Sequence, residues 1–440
     1  MKIIELIQKK KLGKEHTKEE INFIIDALMN NTYADYQISA WLMAVYFQGL
    51  TEDETVYLTD ALIQSGDIVN FEDLTSKIID IHSTGGVGDK ISITLIPLLV
   101  AAGVPIIKLL GPGLGYTGGT IDKLKSIPGF NTGLAISDMI RQLKSINVAI
   151  SSNTHNIAPA NRTLQAIKYT TSLMDSIPLI TASVVAKKVA TGAGNIIIDV
   201  KYGSGASLKT AEKAEQLANL IVKVGKKLNK SITTVITSMD EPLGRAIGNS
   251  IEVIEAIEFL KGKNQTSDLA NLTYEFAAIA LISLKRYNSI DEAKEYLKYL
   301  VTSGAALDKF RQLIKKQKGN CKVLDSYDIF ELPQYKITCK AEQSGFVNRI
   351  DGYKIAYACK LLGAVRDKKN DDIDRSVGIY LNKKTGEYVN EGDILFTIYA
   401  NKHEEIELVK EYCYNAFRIS ENQEQPKNIV YKVIRDDQNV

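Results

Sequence analysis

Two stretches place reactive groups among glycines. The first reads Asp80-Ile81-His82-Ser83-Thr84-Gly85-Gly86-Val87-Gly88-Asp89. Its glycines let backbone N–H groups come close to an anion, and the two hydroxyls add donors. It lacks the Gly-Lys-Ser/Thr ending of a P-loop, and its glycine spacing is wrong for a dinucleotide fingerprint. The second runs from Leu110 to Asp122 and holds five glycines in nine residues, at 111, 113, 115, 118 and 119. A single tight turn does not need so many, because each costs backbone entropy. Together the stretches suggest a shared ligand cleft, with Thr120 capping the next helix or facing the ligand.

Both follow short apolar runs. Ile78–Ile81, Pro105–Leu110, Val148–Ile150, Ile196–Val200 and Thr233–Thr237 read as strands, with helical stretches such as Thr210–Val224 between them. That alternation predicts crossover units and a largely parallel sheet, whose ligands sit beyond the carboxyl ends of the strands. Before this region three helices are expected. Thr17 with Glu20 and Thr51 with Glu54 form capping boxes, and Gly49 closes the apolar helix DYQISAWLMAVYFQG. After about Lys336 come short alternating strands, interrupted by one helix near Ile355–Leu362.

The expectation is therefore an α/β protein in three parts. A helical domain spans 1–66 and is completed by about 160–192. A large mixed or parallel-sheet α/β domain takes 67–159 and 193–335. A C-terminal α+β lobe takes 336–440. The 440-residue length agrees, since a domain averages roughly 150 residues. Lys and Arg number 54 against 52 Asp and Glu, a net charge of +2, which argues against a nucleic-acid groove or a polybasic membrane surface. Cys321, Cys339, Cys359 and Cys413 form no metal or disulfide pattern. With no long apolar stretch and no apolar leader at the start, a cytoplasmic protein is expected.

The quoted loops, with DYQISAWLMAVYFQGLTEDET, MDSIPLITAS, ASVVAKK, DVKYGSGA and PLGRAIGNSIEVIEAIE, resemble the pyrimidine nucleoside phosphorylase family, which includes thymidine phosphorylase. The resemblance covers nearly the whole chain. It implies the fold of the second nucleoside phosphorylase family, with the site in the cleft between the helical and α/β domains; hinge closure is expected, since the site would draw residues from both. It also implies a homodimer, and a reaction that splits a pyrimidine nucleoside such as uridine or thymidine into base and pentose 1-phosphate.

Carried over by position, the resemblance implies that His82, Ser183 and Lys187 contact the base. His82 and Lys187 would be catalytic, because the departing base gathers negative charge. Leu114 would be an apolar contact. Lys168 stands where the family has an arginine, and keeps the charge without the fork. Gln165 replaces a family tyrosine and Tyr116 a family histidine.

On the phosphate side Ser83, Ser92 and Thr120 match. Ile81 stands in place of a lysine, Leu110 of a serine and Pro112 of an arginine. The spacing of Lys90 and Lys108 gives no reason to expect either to supply the missing charge. Losing one preorganised donor typically costs roughly 10²–10³ in rate. Impaired phosphate use is thus expected, and cleavage by water or another acceptor ranks slightly ahead of ordinary phosphorolysis. A non-catalytic nucleoside-binding protein ranks last.

The family also carries a structural cation. Its positions here are the carbonyls of Gly88, Leu243 and Ala246 and the carboxylate of Glu255, hard oxygen ligands suited to K⁺ or Ca²⁺; no other cofactor is expected. His16, His155 and His403 have no partner pattern and read as surface or satisfied residues. Trp41 reads as core or dimer packing.

Overall fold

The computed structural model describes residues 1–71, 77–111, 113, 115–152, 156–366, 371–425 and 428–436. The N-terminal bundle has four helices, α1 (Ile3–Lys11), α2 (Lys18–Met29), α3 (Asp35–Gln48) and α4 (Glu52–Gln64), one more than expected. Both capping boxes form. Thr17 N–H donates to Glu20 at 2.8 Å and Thr51 N–H to Glu54 at 2.8 Å, with the reciprocal bonds to the threonine hydroxyls in place. His16 is buried and accepts from Trp41 Nε1 at 3.1 Å, a satisfied core histidine.

The central domain starts with β1 (Ile79–Ser83), α5 (Ile91–Ala101), β2 (Ile106–Leu109), α6 (Thr120–Leu124), α7 (Ile136–Ile146) and β3 (Val148–Ser151). The chain then returns to the bundle as α8 (Pro159–Thr170) and α9 (Ile177–Ala190). It resumes with β4 (Asn195–Tyr202), α10 (Ala211–Lys227), β5 (Ser231–Ser238), β6 (Ala246–Gly248), α11 (Ser250–Leu260), α12 (Asp268–Ser283), α13 (Ile290–Thr302) and α14 (Ala305–Lys316). All five expected strands are present. They lie parallel in the order β5-β4-β1-β2-β3.

Side chains of the sheet alternate between two cores, as a period of two requires. Ile79, Ile81, Ile197 and Val235 pack with α5, α11 and α12. Ile196, Ile198, Val200 and Ile236 pack on the opposite layer with α9, α10 and the bundle. Helix α5 (ISITLIPLLVA) is buried on nearly every face, which explains its nearly unbroken apolar sequence.

The C-terminal lobe contains β7 (Tyr335–Lys340), β8 (Gly345–Ile350), α15 (Gly352–Leu361), β9 (Gly378–Leu381), β10 (Tyr388–Val389), β11 (Ile394–Ala400), α16 (Ile406–Tyr414) and β12 (Phe417–Ser420). Two strands cross the expected boundary at 336. β6 from the central domain joins the lobe's sheet, ordered β6-β9-β11-β7. The last strand, β13 (Val430–Ile434), pairs antiparallel with β5 and covers that edge of the central sheet. Unpaired strand edges seek such partners.

Candidate active site

His82 and Ser83 end β1 beside the glycine loops. Residues 80 and 82 face α9, on the opposite side of the sheet from Ile79 and Ile81. Lys188 of α9 pairs with Asp80 at 3.0 Å, and both are buried. This bond fixes α9 against β1 and brings Lys187 close enough to His82 to influence its charge. Burial, with the charges of Lys188, Lys108 and Lys187, holds His82 well below the usual imidazole range, so its ring is neutral at pH 7.

Lys187 stands open to solvent, yet surrounding atoms strip part of its hydration. With Lys188 beside it, that lowers the ammonium to about 8; solvent reaching it tempers the effect. Lys168 on α8 is 3% exposed and donates to the Leu179 carbonyl at 3.2 Å. Burial, and secondarily the Lys187 charge, lower it to about 7. Ser183 donates to Gln165 Oε1 at 3.2 Å. The structure thus gathers His82, Lys168, Ser183, Lys187 and Gln165. Leu114 and Pro112 lie outside the described residues, as does His155.

The first loop is braced internally. Ser83 donates to Asp89 Oδ2 at 2.6 Å and accepts from Gly85 N–H at 3.1 Å. Thr84 N–H donates to the Asp199 carbonyl at 2.9 Å, and Lys201 N–H donates to the Thr84 hydroxyl at 2.9 Å. Lys123 at the end of α6 donates to the Asp89 carbonyl at 2.7 Å, tying the two loops together. In the second loop a Cβ on Gly113 would stand 2.3 Å from Gly119 N, so the chain crosses itself there only as glycine. Ser92 on α5 is buried and Thr120 at the start of α6 is half-buried.

Two expectations are corrected, and Tyr116 is placed. Ile81 is 2% exposed and packs into the core with Ile91 and Leu95, while Leu110 packs half-buried against that core. The side chains that replace the family lysine and serine are therefore largely drawn into the core and do not stand where a phosphate donor is missing. Tyr116 turns away toward the C-terminal lobe, edge-on to Tyr353 at 5.3 Å, with the Lys209 ammonium near both rings. The expected metal positions do not fit a metal. Lys90 Nζ donates to the carbonyls of Leu243 and Ala246 at 2.7 Å each and to Glu255 Oε2 at 2.6 Å.

Spacing alone did not reveal the place of Lys108. Its buried ammonium, on β2, donates to the carbonyl of Ile81, the position where the family lysine is replaced. Desolvation and the Lys188 charge lower it to about 8. The one signal was a lysine inside the otherwise apolar PIIKLL.

Model-based comparison matches residues 75–307 to the "Glycosyl transferase family, a/b domain", 4–66 to its helical bundle domain, and 346–420 to the "Pyrimidine nucleoside phosphorylase C-terminal domain". The pyrimidine-nucleoside phosphorylase of Staphylococcus aureus (strain N315) is 40% identical over 436 residues, 99% of this chain and 100% of that protein. The chain belongs to the pyrimidine nucleoside phosphorylase family. A relative of the same name from Staphylococcus haemolyticus (strain JCSC1435) is 40% identical over 410 residues, 93% of this chain and 94% of the other. Anthranilate phosphoribosyltransferase of Thermus thermophilus shares the fold, with a TM-score of 0.56 at 14% identity over 71% of this chain and 99% of that one. This family membership agrees with the expected enzyme class and three-part architecture. Among the described residues no helix is long and apolar enough to cross a membrane.

Proposed function

We propose that the chain cleaves pyrimidine nucleosides with inorganic phosphate, releasing the base and leaving pentose 1-phosphate. A phosphate oxygen attacks C1′ of the sugar, the C1′–N1 bond breaks, and its electron pair passes to the base. His82, neutral, donates a hydrogen bond to the base, which takes its proton from the attacking phosphate or from water, and Lys187 and Lys168 hold the charge gathering on its oxygens. Ser183, with Gln165, orients the ring edge. Ser83, Ser92 and Thr120 meet the phosphate, and Lys108 supplies a cation at the corner where Ile81 carries none.

The observation that carries the reading is Lys108. An anion in a half-closed cleft needs a positive charge, and this ammonium lies against the Ile81 backbone with two further N–H bonds to give. Water as the acceptor is the second reading, supported by leucine at 110 in place of a serine.

The enzyme is proposed to be cytoplasmic and to act as a homodimer. Tyr36, Met43 and Phe47, spaced seven and four residues apart along α3, share an exposed apolar face; Phe47 is 75% and Tyr36 76% exposed.

Uridine and thymidine incubated with and without phosphate test the reaction. Base release that rises with phosphate and yields the sugar phosphate is expected. Equal rates in both, with free pentose as product, would favour water. No release with any acceptor would favour a binding protein.

A further inference from the structure

In the segment 242–246 four carbonyls, those of Pro242, Leu243, Gly244 and Ala246, are satisfied by two lysines from different parts of the chain, while that of Arg245 accepts the Leu381 N–H. Lys384 of the C-terminal lobe takes the carbonyls of Pro242 at 2.5 Å and Gly244 at 3.0 Å, and pairs with Asp268 at 2.9 Å. Lys90, at the start of α5, takes Leu243 and Ala246. Its side chain is fully buried.

Glu255 completes the cage around Lys90. Besides meeting the ammonium it accepts the N–H groups of Arg245 at 2.8 Å and Ala246 at 3.0 Å, so its oxygens are held in place whatever Lys90 does. Neighbouring glycines make the room. A Cβ at Gly244 would stand 2.7 Å from Lys90 Nζ, and a Cβ at Gly88 would stand 2.6 Å from the Leu243 carbonyl. Two backbone carbonyls and one carboxylate around a compact positive charge are the donor set of a monovalent cation site, here filled by the chain's own side chain.

We propose that the Lys90 ammonium is a built-in substitute for a bound monovalent cation. It ties the start of α5, and so the first glycine loop, to the 243–255 segment independently of the ions in solution. Removing its side chain should then leave a cage open to K⁺ or NH₄⁺, since Glu255 and both carbonyls stay anchored by their own backbone. A buried carboxylate left without its cation is strongly destabilising, and a cation that binds only the folded state restores stability in proportion to its occupancy. The cage is the same whichever acceptor serves in catalysis.

Thermal melts in potassium, sodium and choline chloride at equal ionic strength test it. The native protein is expected to melt at one temperature in all three. Lys90→Ala, purified throughout in potassium, should melt about 5 °C lower in choline and recover most of that loss in potassium or ammonium chloride. Lys90→Met, whose stem fills the space without a charge, should stay low in every salt. A native protein stabilised by potassium over choline would overturn the proposal, since a separate cation would then be needed. So would a Lys90→Ala protein that no cation recovers, or one that melts like the native chain.

Discussion

Arg366 Nη1 lies 2.7 Å from Asp122 Oδ1, and the other oxygen of that carboxylate accepts the Gly113 N–H at 2.8 Å. A residue of the C-terminal lobe therefore sets the carboxylate that pins the second glycine loop. Both side chains are largely buried, at 11% and 2% exposure. Arg366→Ala leaves Asp122 charged and short of a partner, so the loop loosens. A drop of about tenfold in kcat/KM is expected, with partial recovery in Arg366→Lys, which keeps the charge but not the fork. Equal kinetics in all three proteins would refute the brace.

The base-side residues should separate from stability. His82→Ala and Lys187→Ala are each expected to lower kcat by roughly 10²–10⁴-fold, with melting temperatures close to native because His82 is only half-buried and Lys187 is exposed. Retained turnover in a base-release assay would mean that the base binds elsewhere.

The lowered lysines give opposite slopes in activity and stability. Lys168 near 7 and Lys187 near 8 lose their protons as pH rises, so kcat/KM should fall above about pH 8. For stability the sign reverses. The buried Lys168 ammonium is less stable folded than unfolded, so its cost is full below the folded value and fades as pH rises toward the ordinary 10.5. Lys168→Met should therefore melt above the native protein near pH 6, with the gap closing by pH 10. A constant gap would show that Lys168 is not depressed.

Lys108→Met tests the anion corner. The KM for phosphate should rise at least tenfold while the KM for nucleoside changes little, with a loss in kcat/KM of about 10²–10³ for one charged donor. An unchanged phosphate dependence would remove Lys108 from the reaction.

Phe47→Asp tests the apolar face of α3. A shift from dimer to monomer by light scattering is expected, because a charge at the centre of an apolar contact must be buried without a partner. An unaltered dimer would place the interface elsewhere.

Much of the architecture was legible locally. The threonine–glutamate spacings at 17/20 and 51/54 form within one turn of chain, and Gly49 closes α3 with φ +74° as a C-terminal glycine should. Five apolar runs became five parallel strands because short β-branched segments with turn signals at both ends have few alternatives. The first helix was missed because IIELIQKKK is short and polar along one side. The strands β6 and β13 could not be assigned to a sheet, because edge pairing depends on which partner the fold presents.

By itself the sequence determined the family, the three-part organisation, the two glycine loops and the groups proposed to meet the base. The tertiary structure alone decided what fills the cation cage, which lysine stands beside Ile81, and how the lobe braces the second loop. Lys90 meets Glu255 across 165 residues and Arg366 meets Asp122 across 244. Caps and strand periods are satisfied by neighbours a few residues away, so their pattern is written in the chain. A buried lysine is long and flexible, and its partner is whichever oxygen the packed fold brings within reach.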